Sequence, residues 1–161
     1  MATLTQDGRA GLAASVKARN IYLGIGSGQT AWDTTTPAES TASSALTTAV
    51  GYRVATQKDF VVTAPGTGAI SLPSGRYDVS ATQTNQLYLR FTLDFADASS
   101  ATIRETGIFL DTTPNSGLPA GQQFFTTSEV SSAGTLYLVE HIAAIIRTAA
   151  TRETFEFVLQ F

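Results

Sequence analysis

The sequence predicts a mainly β chain, an antiparallel β-sandwich or open barrel with one short N-terminal helix and long surface loops. Three observations carry that expectation. Thr151 to Phe161 alternates with period two, setting Phe155, Phe157, Leu159 and Phe161 against Thr154, Glu156, Val158 and Gln160. Gln86 to Phe95 repeats the pattern, with Leu87, Leu89, Phe91, Leu93 and Phe95 opposed by Tyr88, Arg90, Thr92 and Asp94. Each segment is expected to bury one aromatic-rich face. Finally, strand-like segments recur with turn signals between them, without strand–helix–strand alternation.

Taken in order, Thr5-Gln6-Asp7-Gly8 leads into a short helix over Arg9 to Arg19, where Leu12 and Val16 lie four apart and Lys17 and Arg19 suit the C-terminal end of the dipole. Ile21 to Ile25 reads as a strand that ends in the glycine turn Gly26-Ser27-Gly28. Residues 29–44 carry Thr, Ser, Ala and Pro37 around the single Trp32, which predicts a draped loop or arm pinned by the indole. A short turn is expected from Ser43 or Ser44 through Val50, capped by Gly51, before one strand from Tyr52 to Thr63.

Further along, Pro65 to Gly68 and Pro73 to Gly75 bracket a short strand, Ala69 to Leu72. A turn at Ala96 to Ser100 precedes a strand over Thr102 to Leu110, broken at Gly107 by a bulge or a close backbone approach. Thr112 to Gln122 reads as an exposed loop. Gly134 to Ile146 and Thr151 to Phe161 form an expected hairpin through Arg147 to Ala150.

At 161 residues the chain is expected to form a single domain, 1–161, with residues 1–19 as an N-terminal segment and 29–44 as an arm. Charged residues make up 14%, well below the usual ~25%, so other protein is expected to cover much of the Thr- and Ser-rich surface. A net charge of −3 disfavours nucleic acid and anionic membranes. No apolar run approaches the ~20 residues of a spanning helix, and Met1 to Gly11 is polar where a signal peptide is hydrophobic. There is no Cys, hence no disulfide or thiolate metal site.

Chemistry-bearing motifs are few. Gly24-Ile25-Gly26-Ser27-Gly28-Gln29-Thr30 has Gln29 where a phosphate loop needs Lys, so a glycine turn is the better account. His141 is the only histidine and lies mid-strand beside Glu140, which points to the opposite face; a packed imidazole is expected and no metal site. Asp94 with Asp97, and Glu105 with Asp111, are the only acidic groupings, and Asp97 belongs to a turn where Asp caps its own backbone. No catalytic residue and no cofactor is expected, and the chain is not expected to be an enzyme. Ile103-Arg104-Glu105-Thr106-Gly107-Ile108-Phe109 is the most distinctive segment, with Arg104 and Glu105 directed to opposite faces and so to different partners.

The order of these pieces resembles the N-terminal region of bacteriophage tail-collar fibre proteins and related small tail or baseplate proteins of contractile-tailed phages. The resemblance rests on Leu4 to Gly8, Tyr22 to Gly28, Trp32 to Glu39, Ala45 to Arg53, Ile103 to Phe109 and Gly134 to Leu136. It implies a non-enzymatic structural virion protein in the tail, baseplate or neck, made in the bacterial host cytoplasm. Its expected partners are copies of itself in a symmetric ring or trimer, other tail, baseplate or neck proteins, and tail fibres. Trp32, Tyr52, Arg53, Arg104 and Glu105 are the expected interface residues. The alternative expectation is a glycan-binding β-sandwich with Tyr77, Tyr88 and Tyr137 as exposed platforms.

Overall fold

A computed structural model describes residues 2–161. Strand accounts for 45% of the chain and helix for 12%, with antiparallel sheets of which one is nearly closed and barrel-like. The expected class is therefore observed. Helix α1 spans Gln6–Lys17. The strands are β1 Ile21–Gly26, β2 Ala49–Val54, β3 Gln57–Thr63, β4 Ile70–Leu72, β5 Gly75–Val79, β6 Gln86–Leu93, β7 Thr102–Leu110, β8 Thr113–Pro114, β9 Phe124–Thr126, β10 Val130–Ser132, β11 Thr135–Ile146 and β12 Glu153–Gln160.

The chain divides into two compact units, Met1–Arg19 with Ala55–Phe91 and Thr154–Phe161, and Asn20–Val54 with Thr92–Glu153. In the first, α1 begins three residues before the expected start because the Thr5 hydroxyl accepts the Gly8 N–H and caps the helix. The Lys58 ammonium donates to the carbonyls of Lys17 and Arg19, satisfying the helix's C-terminal end. Strands β12, β6, β3, β5 and β4 follow one another across one sheet. Val61, Tyr77 and Tyr88 form its buried cluster, with Ile70, Leu72 and Val158 against it. The Tyr88 hydroxyl donates to the Glu156 carboxylate, and burial together with that carboxylate pushes the phenol's pKa far up. Along β6, therefore, Tyr88 is buried as well as Leu87, Leu89 and Phe91, where strict alternation expected it to oppose them.

In the second unit the sheet order is β11, β7, β1, β2, β9, and β8 pairs separately with β10. Every residue of β1 is buried, as befits a strand between two others. Register sets Tyr22 opposite Phe109, Gly24 opposite Gly107 and Gly26 opposite Glu105 across β1 and β7, with Tyr52 opposite Gly24 from β2. One face of the sheet thus gathers Tyr22, Tyr52, Phe109, Phe125 and, from the loop above it, Leu46. The Tyr52 ring meets Phe109 edge-on at 5.3 Å.

Several expected elements differ. Ala49–Val54 is a strand rather than the end of a capped turn, because Tyr52 gains the aromatic cluster only from an extended backbone. The long strand from Tyr52 to Thr63 is two strands broken at Ala55 and Thr56, which belong to different sheets. Strand β7 runs unbroken through Gly107; the close-approach half of that expectation holds, since a Cβ there would lie 2.8 Å from Leu136 Cδ1. The β11–β12 hairpin does not form, because β11 pairs with β7 and β12 with β6. Arg147, expected in its connection, is buried and bonds Thr151 O at 2.8 Å, Asp94 O at 2.7 Å and Asp97 O at 3.2 Å. The expected loop over Thr112 to Gln122 includes β8, and β5, β9 and β10 had no sequence expectation at all.

Candidate functional site

The second unit carries a strap, residues 27–48, fastened onto the β11–β7–β1 face by polar contacts that the sequence holds in reserve. Its first anchor is Glu105, 1% exposed, whose carboxylate accepts the N–H of Thr47 at 3.0 Å and of Thr48 at 2.9 Å. Two backbone donors on one carboxylate form a charge-assisted pair that satisfies N–H groups lying outside any ladder. Glycine makes the space. A Cβ on Gly26 would lie 2.6 Å from Glu105 Cγ, and one on Gly24 would lie 2.5 Å from the Phe109 ring. The Gly24-Ile25-Gly26 pair therefore serves packing, not phosphate, and the following Gly28 does take a positive φ of 54° in the turn.

The second anchor comes from the other side of β7. Arg104 makes a bidentate pair with Asp33, Nε to Oδ1 at 2.6 Å and Nη2 to Oδ2 at 2.8 Å, and its Nη1 donates to Ser27 O at 3.2 Å. The guanidinium holds the Asp33 carboxyl below its ordinary range, first through the hydrogen bonds and then through charge. Asp33 closes a 3-10 turn, Thr30–Asp33, that presents Trp32. The indole packs against His141 with ring centroids 4.5 Å apart and planes tilted by 41°, and His141 Nδ1 donates to Pro37 O at 2.8 Å. His141 is the packed imidazole that its lone occurrence suggested. Its backbone N–H donates to Glu39 Oε1 at 3.0 Å, and that bond holds the Glu39 carboxyl below its usual range.

Of the five expected interface residues, Trp32, Arg104 and Glu105 come together on the strap. Tyr52 is buried beneath it. Arg53 lies apart, bonding Asp97 Oδ2 at 2.7 Å, and the same oxygen accepts the Asp94 N–H at 2.8 Å. Asp97 thus caps its own turn, as its position suggested, while Asp94 pairs with Arg152 at 2.8 Å. Tyr77 and Tyr88 are buried at 7% and 2% exposure, which removes them as open glycan platforms; Tyr137 remains 43% exposed. Thr47 and Thr48, which complete the Glu105 clamp, were expected only within the short turn before Gly51 and Glu39 only within the arm, with no contact expected of any of the three.

Among the described residues no group of three or more His, Cys, Asp or Glu is placed to hold a metal ion, and no helix is long and apolar enough to cross a membrane. A cleft of about 280 Å³ opens between the strap and β11, lined by Glu39, Ser40, Thr41 and Ser43 on one side and 136–139 on the other. A family model described as "Baseplate wedge 3 tail fiber network component" matches residues 1–161, the whole chain. No curated protein matches the chain.

Proposed function

This chain belongs to the family of baseplate wedge 3 tail fiber network components, and on that premise we propose that it is a non-enzymatic connecting block, repeated around the tail axis, that ties fibres to their neighbours. The family makes it a structural component of the phage baseplate and tail fibre network, located in the virion tail and in contact with other tail proteins. The observation that carries the connecting role is the doubly anchored strap. Glu105 and Arg104 spend their charge inside the unit, so the strap is ordered before any partner arrives. An interface formed by a pre-ordered surface avoids the cost of fixing side chains and loops on binding.

On this reading the outer surface of residues 29–44 meets neighbouring subunits, and Trp32, Tyr52, Arg104 and Glu105 shape that surface, while Arg53 steadies the separate turn at Asp94 to Asp97. Copies in a ring or trimer repeat one heterologous contact, which requires two complementary patches per copy. The test is an image reconstruction of intact tails combined with light scattering of the purified chain. Density for several copies about the axis, each touching a neighbour through 29–44, is the expected result. A single copy, or a strap that faces solvent in the assembled tail, would refute it.

A further inference from the structure

The cleft between the strap and β11 is bounded on one side by four consecutive residues of an edge strand, Leu136 to Val139. β11 is twelve residues long, contains neither Lys nor Pro, and leaves Ile146 75% exposed. Natural sheets blunt such edges with short strands, Lys or Pro, because unpaired N–H and C=O groups template another strand. Here β11 departs from regular register with β7 between Leu136 and Leu138 and again between His141 and Ile145, but between those points, from Leu138 to His141, the edge runs regular and is covered locally: the His141 N–H points away from β7 and is taken by Glu39 Oε1 at 3.0 Å. Backbone direction repeats every two residues along a strand, so Val139 turns its N–H and C=O the same way, into the cleft it lines. The space is polar and one-signed. Glu39 and the hydroxyl residues Ser40, Thr41 and Ser43 face the strand, and no cationic side chain is among its lining.

The geometry points to this slot as a strand-addition site for an extended segment of a neighbouring tail protein, its main chain pairing with Val139 and a Lys or Arg side chain meeting Glu39. Main-chain bonds supply the affinity in that mode and the charge supplies selection. The volume of about 280 Å³ admits only a few residues, which fits a short hook rather than a full strand. Glu39 already plays on His141 the acceptor's part that the incoming carbonyl plays on Val139. This rests on the proposed connecting role and names the partner's chemistry.

The test uses Val139→Pro, which removes the outward N–H at a strand edge together with the side chain that packs on the aromatic cluster, and Val139→Ala, which loses most of that packing but keeps the N–H, as the control. Both are carried by phage in place of the wild-type chain. Mass spectrometry of purified tails, scaled to the folded chain supplied, should show Val139→Pro incorporated about tenfold less than Val139→Ala, a difference of one lost main-chain pairing. Glu39→Lys should reduce incorporation further than Glu39→Gln. Should Val139→Pro fail to fold, hydrogen exchange of the wild-type chain decides: amides in 136–141 exchange at least about tenfold more slowly in tails than in the free chain. Normal incorporation of Val139→Pro, or unchanged exchange in tails, would overturn the inference. A free chain that dimerises and becomes monomeric with Val139→Pro would overturn it in favour of a second copy. A glycan array signal lost with Tyr137→Ala, while the edge amides stay fast, would overturn it in favour of a sugar. Absence of the wild-type chain from tails would instead strike the connecting role itself.

Discussion

Removing the Glu105 carboxylate tests the strap's main fastening. In Glu105→Ala the Thr47 and Thr48 N–H groups, now bonded at 3.0 and 2.9 Å, lose their acceptor in a part-buried setting. Each bond to a charged group is worth about 1.5–3 kcal/mol, so the variant should lose about 3–5 kcal/mol once some water reaches the donors. Domains hold about 5–15 kcal/mol in all, so this is a large share. At about 2–4 °C per kcal/mol for a chain of this size, Tm should fall by about 6–20 °C. Glu105→Gln keeps one acceptor and turns an amide N–H against the other donor, so its loss should be about half. Denaturant unfolding with unchanged slope measures both, and hydrogen exchange should show Thr47 and Thr48 deprotected. The geometry adds a cross-check: Gly26→Ala pushes a methyl onto Glu105 Cγ, 2.6 Å from the added carbon. In the Glu105→Ala background that methyl meets empty space, so the two losses should fall short of additive by about 1 kcal/mol or more. A Glu105→Ala variant within about 0.5 kcal/mol of wild type, the range of ordinary surface changes, would refute the reasoning.

The other predictions concern neighbouring anchors. Arg147→Ala should destabilise by about 3–5 kcal/mol by denaturant unfolding, and Arg147→Lys should recover little, because one ammonium cannot reach the carbonyls of Thr151, Asp94 and Asp97 together. Tyr88→Phe should cost about 0.5–1.5 kcal/mol, since Glu156 is exposed enough to bond water instead. Asp33 titrates below its ordinary value in the folded chain, so its contribution is complete above the unfolded pKa of about 3.9 and is lost as pH falls through the lower folded value. The protection of amides in 30–36, taken relative to their intrinsic exchange rates at each pH, should therefore fall only in acid, and Asp33→Asn should leave that protection low at neutral pH and independent of pH.

Much of the fold follows from local pattern. The period-two runs at Gln86 and Thr151 are strands β6 and β12, and the Thr5 hydroxyl begins the helix close to where the sequence placed it. Pairing was less visible. Nothing within eleven residues tells β12 to join β6 rather than β11, because the choice depends on partners as distant as Tyr88, whose hydroxyl meets Glu156 of β12. Nor do the Thr and Ser residues before Ala49 look like the approach to a strand; Tyr52 makes it one by reaching Phe109.

The strap's chemistry was half legible. Arg104 and Glu105 stood out as adjacent opposite charges on a strand, and their facing opposite ways is what lets them hold Asp33 and Thr47–Thr48 separately. That both partners lie in the 27–48 segment required the register that puts Glu105 against Gly26. Gly24 and Gly26, two apart on the same face of β1, were the available signal: side-chain-free positions that leave a groove for something large. Arg147 offered no such hint, since its burial is set by the carbonyls of a turn fifty residues earlier.

The central claim is that this tail component arrives at assembly with its strap already locked to its own sheet. A side-chain-resolution image reconstruction of the intact baseplate tests it most directly. The account predicts density in which Arg104 meets Asp33, and Glu105 meets Thr47 and Thr48, within one subunit. Density in which residues 29–48 cross to a neighbouring copy, leaving those pairs between subunits, would contradict it.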